Sequence, residues 1–358
     1  MTTATPPADS PETGGSVPAQ SRRLLGAALR RWSAGGAPGP SGIGVVRVLE
    51  RHGFGSVESG QILAGTRDGE FSGLLYAGAL DDTARPLVSE AAHGAGTTRE
   101  AHVAETAALD AGLACAGGAT LVGHPLPGDV AVRLGEALEA ARPAALASVV
   151  GGGTVLLLTG DDLTDRLGGL GEPDATAAAT EAARDLLRRG ATATERLSAA
   201  GTDVLLDVWV PVPSMLIVGA GALGAALDAQ AGLLGWSTRT VTTLDEARAA
   251  VAGFTDADVL VLLDHDPAFD AVLRDGLAHG RGFLGALGSR RTQAARRGRL
   301  VAAGVDEAGL AAIHGPVGLD LGARTPAETA VSIVAQVIAR RAGRTAGALA
   351  ASAGRIGG

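Results

Sequence analysis

The stretch from Phe283 to Glu328 constrains this chain more than any other part of it. It reads FLGALGSRRT, then a helix-like run, then IHGPVGLDLGARTPAE, so that two glycine-rich turns each end where a helix begins. The second turn supplies Thr325, Pro326 and Glu328, the capping-box pattern with proline in the first helical turn. Helix starts carry unpaired backbone N–H groups and the positive end of the helix dipole. With Gly288, Ser289, Arg290 and Arg291 at one turn, and Gly322 and Arg324 beside Thr325 at the other, the pattern predicts an anion pocket.

Upstream, from Ser214, buried-strand and helix patterns alternate as in a doubly wound parallel sheet. The apolar run Met215 to Val218 leads into GAGALG, in which Gly219 permits a tight turn, Gly221 the close approach of a pyrophosphate and Gly224 close helix packing. The next strand ends in Arg239-Thr240-Val241-Thr242-Thr243, with no carboxylate where a ribose hydroxyl would be held, and Asp245 arrives two residues later. A tight strand-to-helix turn without a nucleotide is the competing reading of these glycines. Asp264-His265-Asp266-Pro267 follows the apolar run Val259 to Leu263, where open α/β sheets bind ligands. There His265 and Asp266 can meet a phosphate, and His265 can exchange a proton or simply hold a turn.

Before the Pro211 to Pro213 stretch, short β-like runs (Ile43 to Leu49, Gly60 to Ala64, Gly69 to Tyr76, Ala119 to Val122, Thr154 to Thr159, Val204 to Val210) accompany helical patterns at Ser21 to Trp32, Val130 to Ala141 and Ala175 to Arg189. The expected organisation is a disordered tail over 1–20, an N-terminal α/β domain over 21–210, a Rossmann-like domain with a mostly parallel sheet over 211–345, and a flexible tail over 346–358.

Composition removes several function classes. All 30 basic residues are arginine, which excludes P-loop, kinase and Schiff-base lysine chemistry. One cysteine, Cys115, excludes a disulfide framework and any multi-thiolate zinc cluster. A net charge of -8 speaks against general nucleic-acid binding, and the absence of a membrane-length apolar run or signal pattern leads to a cytoplasmic expectation. The seven histidines show no metal-binding spacing, His93 and His102 read as surface loop residues, and most of the five arginines over 290–299 read as a solvated helix face.

On the glycine turns, GAGALG and the His-Asp-Pro run, the chain resembles the XdhC/CoxI family, whose members look after the molybdenum cofactor of xanthine dehydrogenase and related hydroxylases. GSVESG near Gly55 and Gly60, and GLACAG over Gly112 to Gly117, resemble two further landmarks, with Cys115 on the family's cysteine. The chain departs from the family where Ser72-Gly73-Leu74-Leu75-Tyr76 replaces a Ser-Gly-Gly-Cys motif, and where the stretch ahead of His265 is shorter by about one βα unit. The resemblance implies an accessory protein that binds the molybdenum cofactor, as molybdopterin or its dinucleotide, with Cys115 as catalytic thiolate and metal ligand and His265 as proton carrier. It implies a molybdenum hydroxylase client and a cysteine desulfurase as partners, and leaves room for a homodimer. A lone cysteine filling a core is the competing role for Cys115. An NAD(P)-dependent oxidoreductase, and a degenerate member that only binds a client, are the rival functions.

Overall fold

The computed structural model describes residues 17–33, 40–55, 57–94, 96–190, 192–255, 257–279 and 282–351. The tails expected over 1–20 and 346–358 lie outside these residues up to 16 and from 352; residues 17–20 open a helix and Leu349–Ala351 make a 3-10 turn. Ser56 also lies outside them.

The N-terminal half is built twice over on one plan. Helix α1 (Val17–Trp32) precedes β1 (Pro40–Gly53), β2 (Leu63–Thr66), β3 (Phe71–Gly73), α2 (Asp81–Ala92), β4 (Thr97–Val103), a short α3 (Glu105–Asp110) and β5 (Gly117–Pro127). Helix α4 (Gly128–Glu139) then precedes β6 (Ala144–Val149), β7 (Val155–Thr159), β8 (Asp165–Gly168), α5 (Pro173–Arg188), β9 (Ala193–Ala199) and β10 (Thr202–Trp209). Strand order is β3-β2-β1-β5-β4 in one sheet and β8-β7-β6-β10-β9 in the other, the same topology with α3 as the addition. Every pairing in both sheets is antiparallel, which refines the expected α/β domain to segregated helices on antiparallel sheets.

Period-2 alternation explains the layering. Ile43 and Val45 of β1 and Ala144 and Leu146 of β6 face a shared core with α1 and α4, whereas Val46 packs toward α2, and Ala145 and Ala147 toward α5. The helices α1 and α4 cross at glycines: a Cβ on Gly26 would stand 2.7 Å from the Gly135 carbonyl oxygen, and one on Gly135 2.8 Å from that of Gly26. Only glycine lets the two backbones approach that closely. Helix α2 and strands β4, β6, β8 and β9 had no counterpart in the sequence reading; His93 caps the end of α2 and His102 lies in β4 rather than in a loop.

Where the two repeats meet, a polar cluster is sealed inside. Register places His124 opposite Val45 and Asp207 opposite Leu146, so Arg47 with His124 in the first repeat corresponds to Ser148 with Asp207 in the second. Arg47, 0% exposed, donates to Asp207 Oδ2 at 2.7 Å, to the Leu146 carbonyl at 3.1 Å, to Ser148 Oγ and toward His124 Nε2 at 3.1 Å. Thr194 donates to the other Asp207 oxygen. Taking these charges out of water is costly, and the hydrogen bonds to both terminal nitrogens of Arg47 offset part of it, while its buried Nε makes none among the described residues. A neutral His124 protonated on Nδ1 satisfies both its partners, accepting at Nε2 and donating to the Pro125 carbonyl at 2.9 Å.

The C-terminal domain carries β11 (Ser214–Val218), α6 (Ala222–Leu233), β12 (Ser237–Val241), α7 (Leu244–Val251), β13 (Val259–Leu262), α8 (Asp270–His279), β14 (Phe283–Ala286), α9 (Arg290–Ala302), α10 (Glu307–Ala312), β15 (Ile313–His314) and α11 (Pro326–Arg341). All its strand pairs are parallel. Met215, Ile217, Val259 and Val261 face α6 and α11, while Leu216, Val218, Leu260 and Leu262 face α7 and α8, so the sheet is buried on both sides.

Burial, and then the charge of Arg47, pushes His124 down to about 3 from 6.5. The unfolded chain therefore takes a proton on this imidazole as pH drops through 6.5, and the folded chain does not until about 3. The stability contributed by neutral His124 is complete above that window and is lost as pH falls through it. Asp207, raised by burial, acts in the opposite sense and is retained in both proteins compared. Urea unfolding of wild type should show stability declining from about pH 7 to about pH 5, and His124→Gln should flatten that decline. Equal slopes would show that His124 does not carry it.

Candidate ligand-binding site

The order β12-β11-β13-β14-β15 puts a topological switch point in the third sheet. From β11 the chain goes through α6 to β12 on one side, then through α7 back across to β13 on the other, so the connections leave a crevice at the carboxyl ends of β11 and β13. Gly219 to Gly221 line one side of that crevice and Asp264 to Asp266 the other. The loops are stapled at their bases: Gly219 N donates to the Val241 carbonyl at 2.8 Å, Leu263 N to Val218 at 2.8 Å, and Leu287 N to Leu262 at 2.8 Å.

The glycines of GAGALG differ in what they do. A Cβ on Gly219, at φ +123, would lie 3.0 Å from Leu263 Cβ, so this residue lets the β11 and β13 loops touch. Gly221, at φ +108, is the N-cap of α6, and a Cβ there would meet nothing within 4 Å. A Cβ added at Gly224 would lie 3.7 Å from Ile217 and Leu263 side-chain atoms, ordinary contact for a helix lying on a sheet. Helix α6 has no side-chain cap, whereas Thr243 caps α7, Ser289 caps α9 and Thr325 caps α11. The free N–H groups of α6 therefore open onto unfilled space at the switch point.

The remaining expected residues fall along the same edge. Gly288, at φ +137, and Ser289 end the β14 loop, and Ser289 Oγ accepts from Thr292 N at 3.1 Å. Gly322, at φ +69, precedes Arg324 and Thr325, whose capping box with Glu328 closes the start of α11. Helices α6 and α11 both run against the strands and lie side by side, with the Arg341 guanidinium 5.6 Å from the centroid of Trp236 at their far ends, so both starts point to the carboxyl edge. Arg290, Arg291 and Arg324 are exposed and make no ion pair among the described residues. His265 is exposed and likewise makes no hydrogen bond among them, whereas Asp264 accepts from Asp266 N at 2.8 Å and Asp266 from Ala268 N at 2.9 Å. The Asp266 carboxylate thus holds the local turn rather than standing free.

One residue central to this edge was misread from the sequence. Arg296, expected on a solvated face with its neighbours, is 1% exposed. Its Nε meets Asp270 Oδ1 at 2.8 Å, Nη1 donates to the Leu287 carbonyl at 3.2 Å, and Nη2 to the Asp264 carbonyl at 3.3 Å. Gln293 donates to the Ala286 and Leu287 carbonyls at 3.0 Å each. A side chain on α9 therefore ties the β13 loop to the β14 loop. Asp270, three residues after Pro267, was the available signal: an acid in the first turn of the helix preceding an arginine-rich one.

Cys115 lies elsewhere. It is exposed, in the loop between α3 and β5, with Sγ 4.0 Å from the Cβ position of Gly55, so it fills no core. The N-terminal domain meets the third sheet at its amino edge, through the Arg341 donation to the Gly190 carbonyl and Ala257 packed with the α5 core. The carboxyl edge carrying the glycines is the opposite one. The structure thus gathers Gly219, Gly221, His265, Asp266, Gly288, Ser289, Arg290, Arg291, Gly322, Arg324 and Thr325 along one edge and leaves Cys115 apart from them. At the tip of β12, Glu246 is held by Thr243, and Asp245 sits in the first turn of α7, so no free carboxylate stands at the ribose position. Among the described residues no group of three or more His, Cys, Asp or Glu could hold a metal ion, and no helix is long and apolar enough to cross a membrane.

Residues 215–337 match the family described as the XdhC Rossmann domain. The Uncharacterized protein YqeB of Escherichia coli (strain K12) is 28% identical over 176 residues, 43% of this chain and 32% of that protein. The chain thus aligns with about a third of that relative's length, 32%. A crystal structure of a xanthine dehydrogenase from Bacillus halodurans superimposes with a TM-score of 0.51 and 17% identity, covering 92% of this chain and 98% of that one. At that identity the likeness is one of fold, and its coverage takes in both domains.

Replacing Arg296 by Ala should destabilise the protein by about 3 kcal/mol, the lower end for breaking a buried pair, because Arg299 keeps Asp270 paired at 2.6 Å. Chemical denaturation measures this directly. A change under about 0.5 kcal/mol, the size of an ordinary surface substitution, would mean that Arg296 does not lock the edge.

Proposed function

Carrying an XdhC Rossmann domain over residues 215–337, this chain belongs to the XdhC family by its C-terminal domain, and we propose that it is an accessory protein that holds the phosphate-bearing end of the molybdenum cofactor on behalf of a molybdenum hydroxylase. The observation that carries this reading is the uncapped start of α6 at the switch point, with open space at Gly221. Phosphate oxygens accept from such N–H groups and are favoured by the helix dipole, and the unpaired guanidinium groups of Arg290, Arg291 and Arg324 add charge along the same edge. The donor set suits a phosphate or pyrophosphate. When bound, the cofactor supplies its own molybdenum centre, and the chain's part is to grip, orient and hand over.

Cys115 enters differently from the expectation drawn on the family's cysteine. Exposed and remote from the carboxyl edge, it is a thiol presented on the N-terminal domain, available to the client, to a desulfurase or to a second copy of the chain. The competing reading, an NAD(P)-dependent oxidoreductase with His265 as acid or base, draws on the exposed imidazole at the switch point. The missing carboxylate at the β12 tip, where Arg239 is exposed, makes NADP rather than NAD its ligand.

Protein purified without oxygen from cells that make the cofactor should carry molybdenum and pterin fluorescence, and Gly221→Asp should lose both while remaining folded. Charge-assisted phosphate contacts are worth about 1.5–3 kcal/mol each, so Arg290→Ala or Arg291→Ala should weaken binding roughly ten- to a hundredfold. Cys115→Ser should leave that affinity unchanged. Metal-free protein that binds NADP and loses it on Gly221→Asp would transfer the site to the oxidoreductase reading.

A further inference from the structure

At the amino edge of the third sheet, opposite the glycine turns, a cleft of about 240 Å³ opens between the two domains. Arg188 and Arg189, at the end of α5, stand on one wall, and Arg340, Arg341 and His314 on the other. Its charges are unevenly matched. Arg188 pairs with Glu181 at 3.1 Å, and Arg189 with Asp185 at 3.0 Å, both within the N-terminal domain. Arg340 and Arg341 have no carboxylate within 4.0 Å among the described residues. The one acid on the lining, Asp258, accepts from Ser214 N at 3.3 Å, Thr255 N at 2.7 Å and Thr255 Oγ1 at 2.8 Å, and its charge reaches Arg341 only through space.

We infer that this interdomain cleft is an anion site for a phosphate-bearing small molecule, clamped by Arg340 and Arg341 and approached by Arg188 and Arg189. Arg341 is oriented before any ligand arrives: its Nε donates to the Gly190 carbonyl at 2.8 Å, Nη2 donates to the same oxygen, and Nη1 has no partner among the described residues. A guanidinium fixed in this way loses little freedom on binding phosphate oxygens. Burial lowers Arg341 to about 10, a cost that an incoming anion would relieve. His314 lies stacked on Phe283, with ring centroids 4.5 Å apart and 6° between planes, and burial followed by the charge of Arg340 holds its pKa below the usual value. Because the two walls come from different domains, a bound anion bridges them and stiffens their mutual orientation.

The full-length protein should bind pyrophosphate in calorimetry, and NMR should show the His314 imidazole pKa rising on saturation as the added charge opposes that of Arg340. Arg340→Gln and Arg341→Gln should each weaken binding at least about tenfold. Arg340 is exposed and makes no ion pair among the described residues, so its variant keeps the test open if that of Arg341 unfolds. Gly221→Asp, at the far edge, should leave the His314 shift and the Arg340-dependent component of pyrophosphate binding intact, whether or not the proposed cofactor site takes up pyrophosphate as well. Inorganic phosphate and ADP, run in parallel, distinguish a free oxyanion from the phosphate end of a nucleotide; tightest binding by either supports the site, since both carry the group it recognises. Loss of pyrophosphate binding only in Gly221→Asp, an unmoved His314, or no binding of any of the three at millimolar concentration would overturn the inference.

Discussion

A buried guanidinium holds the carboxyl edge of the parallel sheet together. The loops after β13 and β14 turn away from a parallel sheet whose backbone groups are used up by their neighbours, so each loop must find its own hydrogen bonds. Arg296 supplies them from a third element, donating to Asp264 and Leu287 carbonyls while its charge is met by Asp270. Desolvating that ion pair is expensive, and the return is geometric: the His265 loop, the Gly288 turn and the starts of the neighbouring helices are held in one arrangement. The proposed phosphate site, made of backbone N–H groups, would depend on such a scaffold, because backbone donors cannot reorient one by one as flexible side chains do.

The N-terminal domain reaches rigidity by another route. Two copies of one antiparallel plan face each other, α1 and α4 cross at Gly26 and Gly135, and Arg47, His124, Ser148 and Asp207 occupy matching registers around the junction. Matching positions carry complementary chemistry, arginine in one copy where the other has serine and histidine where the other has aspartate. A second arginine at Ser148, or a second aspartate at His124, would have placed like charges in a water-free core, so complementarity between the copies favours burying this polar junction.

The two domains are joined so that the third sheet keeps one edge for each purpose. The amino edge is occupied by the N-terminal domain, with an arginine-lined cleft at the seam. The carboxyl edge is left open, and there the uncapped α6 start faces solvent. Parallel strands enforce this split, because helices such as α6 and α11 begin at the carboxyl edge and end at the amino one, sorting helix starts to one side and basic last turns such as Arg340 and Arg341 to the other.

Much of the parallel domain was legible in the sequence by itself. GAGALG after an apolar run, alternating buried strands and helices, and the Thr325–Glu328 capping box are local patterns, decided within a few residues by backbone sterics and hydrogen-bond supply, and the structure keeps all three. The family resemblance was legible in the same glycines. Burial, pairing across long separations and the relative placement of domains were decided only by the tertiary structure. Arg296 looks like any arginine of a charged helix until Asp270, 26 residues earlier, is brought beside it. His124 looks scattered until Arg47 approaches across the sheet, and the duplication is invisible because the two copies share strand order rather than residues. Cys115 and the glycine turns could be imagined around one ligand because sequence carries no sign of which sheet edge a neighbouring domain will cover. That choice was made by the packing of Ala257 and Arg341 against the N-terminal domain, a sum of contacts that no single segment encodes.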